Sequence, residues 1–277
     1  MARPTRVLAI ADMHCGSVVG LTHPHWHIKP VKGERTKRDK WAKLQRETWD
    51  WFERLLKSVA PIDVLLYGGD GMDGKGERAG STEQITCDME EQTEMAIRVI
   101  QTVLLHGRGK NHIPIVGVYG TPCHVSGDGE DWENILAQRT GFQKIGAHEW
   151  PSVSGYIFDL KHKVGGSTIP HGRHTALAKD MLWNAVWHDA EEMQPKARCI
   201  LRAHVHYHSF CGTPERMGMT LPALQAMGTK FGARQCSGLV HWGVTTFDVS
   251  SDGKDCDWHA HTVRIKTQVA HTTKVGE

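Results

Sequence analysis

Val64-Leu65-Leu66-Tyr67-Gly68-Gly69-Asp70-Gly71-Met72-Asp73 joins an apolar run to a glycine-flanked pair of carboxylates. Four apolar residues without polar alternation are the pattern of a strand buried on both faces, as in a parallel sheet covered by helices. The glycines permit tight backbone geometry around Asp70. A carboxylate held at the mouth of a buried strand is placed to bridge two metal ions, and Asp73 follows three residues later.

The same arrangement recurs on both sides of this stretch. Val7-Leu8-Ala9-Ile10-Ala11 ends in Asp12-Met13-His14, where the period of a strand puts Asp12 and His14 on one face and Met13 on the other. Ile113 to Tyr119 is a third buried strand, ending in Gly120-Thr121-Pro122-Cys123-His124. A glycine-rich arm ends at His171-Gly172. Arg198-Cys199-Ile200-Leu201 leads into Ala203-His204-Val205-His206, and His204 and His206 again share a face. His208 has the same parity and is expected to lie outside the centre. Five such fragments in this order are far more specific than any one alone.

Between them, Asp39 to Val59 carries Trp41, Leu44, Trp51, Phe52, Leu55, Leu56 and Val59 on one helical face, with Pro61 as the stop. Ser81-Thr82-Glu83-Gln84 has the form of a capping box opening a long helix that ends near Gly107. Gly127 to Asp131 leads a short helix, its acidic residues favouring the first turn. Gly155 to Leu160 with Lys163 to Pro170 reads as a hairpin. Thr175 to Met193 reads as a helix with Leu177, Met181, Ala185 and Val186 inward. Leu239 to Val249 and His259 to Ile265 read as strands around Ser251-Asp252-Gly253, suggesting a second sheet packed on the first. Strand alternating with helix is the order of a layered α/β protein.

The chain of 277 residues is expected to form one domain over residues 1–266, with a polar insertion at 15–37 and a flexible tail at 267–277. The insertion holds His23-Pro24-His25-Trp26-His27 and the cations Lys29, Lys32, Arg35, Lys37 and Arg38. It reads either as a solvated loop or as a lid that brings charge and an indole to a phosphate-bearing substrate. No stretch approaches the apolar length of a membrane span. Seven cysteines, with no C-x-x-C pair, argue against a disulfide framework or zinc knuckle. The start, Met1 to Arg6, runs straight into a strand, leaving no room for a signal peptide. A reducing cytoplasm is the expected setting. The net charge of +2 makes no case for a nucleic-acid partner, whereas nineteen histidines hint at metals.

Ligands at the carboxyl ends of adjacent buried strands converge in one crevice. Mixed carboxylate and imidazole donors suit manganese, iron or zinc. Two such ions can hold a bridging hydroxide, lower its pKa and clamp a phosphate's oxygens for in-line attack. A histidine oriented by a carboxylate then suits protonation of the leaving oxygen.

The ordered set D-x-H, G-D-x-x-D, a strand-end glycine with a histidine soon after, an isolated H-G and H-x-H resembles the calcineurin-like metallophosphoesterase superfamily over residues 7 to about 210. The resemblance implies a four-layer α/β/β/α sandwich, two packed mixed sheets flanked by helices. It also implies two divalent transition-metal ions, manganese first, with iron or zinc as alternatives. Asp12, His14 and His206 would hold one ion, His171 and His204 the other, and Asp70 would bridge both. His124 would be the proton donor and Asp73 the carboxylate that orients it.

The third motif departs from the family, whose glycine-asparagine-histidine supplies an amide oxygen to the second metal. Here Thr121-Pro122-Cys123 stand between Gly120 and His124, a version that looks like one in phage and prophage members. Either the Thr121 hydroxyl substitutes, or His124 moves onto the metal and leaves the donor role vacant. Ala203 also replaces the glycine usual before H-x-H. Gly74 and Val125 stand where phosphoprotein phosphatases carry arginine and glutamate, so the expected enzyme is a phosphodiesterase or nuclease. Its substrate would be DNA, RNA or a nucleotide, met in the bacterial host cytoplasm if the chain is phage-encoded. The alternatives are a phosphomonoesterase for a small metabolite and a non-catalytic metal-binding scaffold.

Overall fold

Alternate residues of the first strand enter different cores, and this fixes the layering. The computed structural model describes residues 3–30, 37–77, 80–109, 112–167, 169–191, 193–227, 240–268 and 272–275. In chain order its strands are β1 (Thr5–Ile10), β2 (Val64–Tyr67), β3 (Ile115–Val118), β4 (Ser126–Gly127), β5 (Glu130–Asp131), β6 (Lys144–Gly146) and β7 (Ser152–Val153). There follow β8 (Tyr156–Leu160), β9 (Cys199–Arg202), β10 (Ser209–Gly212), β11 (Met217–Thr220), β12 (Trp242–Val249) and β13 (Cys256–Val263). The helices are α1 (Lys37–Val59), α2 (Met89–Leu104), α3 (Pro122–Val125), α4 (Trp132–Thr140) and α5 (Arg173–Glu191).

One sheet runs β13-β12-β1-β2-β3-β6, parallel from β1 to β6 and antiparallel at β12 and β13. The other runs β10-β11-β9-β8-β7 and is also mixed. Leu8 and Ile10 of β1 join Phe52 and Leu56 of α1, Ile100 and Val103 of α2 and Leu136 of α4 in one core. Val7 and Ala9 of the same strand face the other way, meeting Phe158, Leu160, Leu201 and Met219 of the second sheet. Both clusters are buried, and each large side chain contributes roughly 1.5–3 kcal/mol by leaving water. Leu177 and Met181 of α5 lie on Gly218 of β11, closing the outer side of the second sheet. The result is the expected α/β/β/α sandwich.

Several local expectations are corrected. The last two strands do not form a second sheet. β12 pairs with β1 and extends the first sheet, and the second sheet comes from residues 152–220. The capping box at Ser81 does not open a helix: Ser81 has φ +57°, and α2 starts eight residues on with Asp88 as its N-cap. Gln84 instead donates to the Asp73 carboxylate. Gly127 to Asp131 forms the small hairpin β4–β5, from which only Asp131 caps α4. β8 pairs with β7 and β9, so the described part of 163–170 is not a hairpin arm. Val186 of α5 is exposed together with Leu182 and Trp183.

The insertion divides in two. Val18, Val19, Leu21 and Thr22 are buried, and Gln45 of α1 bonds Val18 O and Ile28 N, so the first part is core rather than lid. Lys29 and Arg38 are exposed, while Lys32 and Arg35 lie outside the described residues, as does Leu239. At the start of the expected tail, Thr267 donates to Glu47 of α1. Among the described residues no helix is long and apolar enough to cross a membrane.

Beneath α5 the second sheet holds a buried ion network. Arg202 of β9, 3% exposed, donates to Asp159 of β8 at 2.6 Å and to Asp180 of α5 at 2.7 Å, and His148 reaches Asp159 at 2.7 Å. Burial pushes the Asp159 carboxyl up, but His148 and Arg202 outweigh it and hold the carboxyl below its ordinary value. Removing one partner from such a network leaves an uncompensated buried charge. Arg202→Met is therefore expected to lower the unfolding free energy in urea by about 3–5 kcal/mol, and a loss under about 1 kcal/mol would show that α5 is held by its apolar face alone.

Candidate metal centre

The strand ends that carry the sequence motifs share an uncommon backbone. Asp12, His14, Asp70, His204 and His206 have φ of +51°, +45°, +55°, +72° and +56°, in the left-handed region that non-glycine residues seldom adopt. Neighbouring loops hold them there. Asp12 N–H donates to Gly69 O, His14 N–H to Asp70 O and Cys15 N–H to Gly71 O, which zips the end of β1 to the end of β2. His204 N–H donates to the Asp12 carboxylate, bringing in the second sheet. Gly120 must be glycine, since an added Cβ would lie 2.1 Å from Asp70 Oδ1.

Three groups of donors result: Asp12, His14 and His206; Asp70, His162 and His204; and His14, Asp73 and His124. Within them His206 Nε2 lies 3.3 Å from Asp12 Oδ1, His162 Nε2 3.1 Å from Asp70 Oδ2, and His14 Nε2 3.9 Å from Asp70 Oδ2. Asp70 thus stands between the first two groups. The expected residues Asp12, His14, Asp70, His204 and His206 meet here, with Asp73 and His124 alongside.

His171 is not in any of these groups. It sits exposed in the 3-10 turn Pro170–Gly172, and His162 occupies the place beside Asp70 and His204. The signal for His162 was in the chain, because it follows the apolar end of β8 after one residue, Lys161. Reading residues 163–170 as a second hairpin arm moved the expected strand end past it. His162 Nδ1 is 2.8 Å from Gly68 O, which turns Nε2 toward Asp70.

Asp73 and His124 are also arranged differently from expectation. The Asp73 carboxylate bonds His14 Nδ1 at 2.8 Å and accepts from Gln84 and Gln225. His124 Nδ1 bonds the backbone carbonyl of Asp73, at 2.7 Å. The main chain of residue 73 orients His124, and its side chain orients His14. Gln92, fully buried, pins this loop by accepting from Asp73 N–H and Gly74 N–H and donating to Gly74 O.

The residues fit a divalent cation. Asp12, Asp70 and Asp73 are buried, and among the described residues their ion-pair partners are histidines, never lysine or arginine. Burial pushes the Asp70 carboxyl up, yet His162 and His14 hold it well below the carboxylate range. Burial depresses His162, but Asp70 and Asp12 raise it to about 9. His14 Nε2 is buried with no hydrogen-bond partner. A buried imidazole nitrogen without a hydrogen-bond partner, set among carboxylates and other imidazoles, belongs to a donor set for a transition-metal ion.

Beside the centre, Glu133 of α4 is wholly buried and accepts from Tyr67 OH at 2.5 Å, Gly71 N–H at 3.2 Å and Gly120 N–H at 2.6 Å. One carboxylate therefore ties the loop after Asp70 to the loop before Thr121. Burial, with Asp70 nearby, raises its carboxyl to about 7.

No protein-family model and no curated protein matches the sequence. Solved structures are similar in chain course. A novel archaeal phosphodiesterase is 9% identical with a TM-score of 0.43, covering 93% of this chain and 100% of that one. Wild-type Vps29 complexed with zinc, from Entamoeba histolytica, is 12% identical with a TM-score of 0.41, covering 93% and 99%. Vps29 of Chaetomium thermophilum is 10% identical with a TM-score of 0.40, covering 95% and 97%.

A carboxyl raised on folding favours the folded state while it stays protonated. Relative to Glu133→Gln, the unfolding free energy of the metal-free wild type is expected to be highest below pH 4.5, the ordinary value, and to fall as pH rises to about 7. The slope would be at most about 1.4 kcal/mol per pH unit. Denaturation curves at several pH values measure this, and a constant difference between the two proteins would contradict it.

Proposed function

We propose that the protein is a dinuclear metal-dependent phosphoesterase of the calcineurin-like kind, acting on phosphodiesters of DNA, RNA or a nucleotide. The observation that carries this reading is the meeting of two donor groups at one buried aspartate, Asp70. Asp12, His14 and His206 would hold one ion, His162 and His204 the other, with Asp70 shared and His162 taking the role the resemblance gives to His171. Two divalent ions, with manganese first among the candidates, supply Lewis-acid charge to phosphate oxygens and acidify bound water.

The remaining work falls to the chain's own groups. Asp73 accepts from His14 Nδ1 and so directs the opposite nitrogen into the centre. His124, fixed through Nδ1, has its Nε2 left to hold a proton for the leaving oxygen. Burial and His14 depress His124, and the negative charge of a bound phosphate would bring it back toward the range a general acid needs. Gly74 and Val125 support a diesterase over a phosphoprotein phosphatase. Exposed Lys29 and Arg38 support a polyanionic substrate, for which turnover would fall steeply with salt.

Metal analysis with turnover of bis-(p-nitrophenyl) phosphate tests the reading. Two equivalents of metal and faster turnover of the diester than of p-nitrophenyl phosphate are expected. Asp70→Asn should abolish both metal and turnover, whereas His124→Ala should slow turnover and keep the metal. Preference for the monoester would make the protein a phosphomonoesterase. One equivalent or none, without turnover, would make it a scaffold.

A further inference from the structure

Thr121 begins α3 in the N-cap position, where a threonine hydroxyl ordinarily accepts a hydrogen bond from the helix's free N–H groups. Here it makes no such bond. Its Oγ1 points instead into the group of Asp70, His162 and His204, 3.2 Å from Asp70 Oδ2, 3.1 Å from His162 Nε2 and 3.1 Å from His204 Nδ1. The hydroxyl donates its one proton to Asp70 Oδ2, which leaves its oxygen lone pairs facing the two imidazole nitrogens. Four donor atoms facing one another at these separations have the spacing of ligands around an ion. Metal bonds of about 2.0–2.2 Å at tetrahedral or octahedral angles put neighbouring ligands about 2.8–3.6 Å apart.

We propose that the Thr121 hydroxyl is the oxygen ligand completing the cation site of Asp70, His162 and His204, where the resembled family uses an asparagine amide. The inference rests on the two-ion reading of the centre and adds a property of it. The position is built rather than incidental. Thr121 N–H donates to Asp70 Oδ1 at 2.5 Å, and Gly120 N–H is held by Glu133, so the backbone that carries the hydroxyl is fixed from two sides. The rival ligand, His124, is turned away: its Nδ1 is committed to Asp73 O, and its ring stacks edge-on to His14 with centroids 4.7 Å apart. It belongs with His14 and Asp73, in a donor group separate from that of Asp70, His162 and His204. A neutral hydroxyl is a poorer ligand than an amide oxygen. The Thr121 site is therefore the weaker of the two, and its occupancy follows the free metal concentration while the other site stays filled.

Calorimetric titration of Mn2+ into the metal-free protein reads both sites without relying on turnover. Wild type should take up two equivalents with unequal affinity. Thr121→Val, which keeps the shape and removes the oxygen, should lose at least about tenfold in the weaker step and leave the tighter step as an internal control of folding. Thr121→Ser should keep both steps, and Thr121→Asn should tighten the weaker one. Wild-type behaviour of Thr121→Val would overturn the proposal, as would loss of the weaker step in His124→Ala with Thr121→Val unaffected. Uptake of fewer than two equivalents by the wild type would instead sink the two-ion reading itself.

Discussion

Three carboxylates, those of Asp12, Asp70 and Asp73, are buried close together with imidazoles as their ion-pair partners. An isolated carboxylate in a protein interior costs so much solvation that it would take up a proton rather than stay charged. These are held ionised by His14, His162 and His206, each fixed in turn by a second bond or by the backbone it stands on. The architecture around them serves to bring opposite charges together where water is excluded, and the left-handed backbone at five of the positions is part of what this arrangement costs.

The sandwich supplies the geometry. β1 and β2 run parallel in the first sheet and end side by side, so Asp12 and Asp70 emerge from neighbouring strands. β8 and β9 run parallel in the second sheet, so His162 and His204 also emerge together. Packing the two sheets over Val7, Ala9, Phe158 and Leu201 brings the two pairs face to face. The bond from His204 N–H to Asp12 joins them across the interface. A change of one residue in the register of β1 would swap its faces, because side chains alternate with period two, and Asp12 and His14 would turn together away from Asp70 and His204.

Polar side chains outside the two donor groups that meet at Asp70 fix the loops. Glu133 joins the Asp70 loop to the Thr121 loop, Gln92 holds residues 73 and 74, and the Asp73 side chain aims His14. Neither Glu133 nor Gln92 could be recognised from its place in the chain. Glu133 stands in the first turn of α4, where an acidic residue is ordinary, and Gln92 is one of several polar residues in the first turns of α2. Their roles come from what the fold sets against them.

The sequence alone determined that unbroken apolar runs end in carboxylates and imidazoles, because a strand buried on both faces admits few polar residues before its mouth. It thereby indicated the layered α/β class, the elements β1, β2, β3, β9, α1 and α5, and most of the centre. Tertiary structure decided what local pattern cannot encode. It set His162, not His171, beside Asp70 and His204, since the strand end is set by pairing of β8 with β9 and not by where a glycine-rich stretch stops. It gave β12 to the first sheet, since either sheet satisfies the same alternation. It also turned the Thr121 hydroxyl and the Asp73 side chain to their partners, since those partners lie dozens of residues away and only packing brings them within reach.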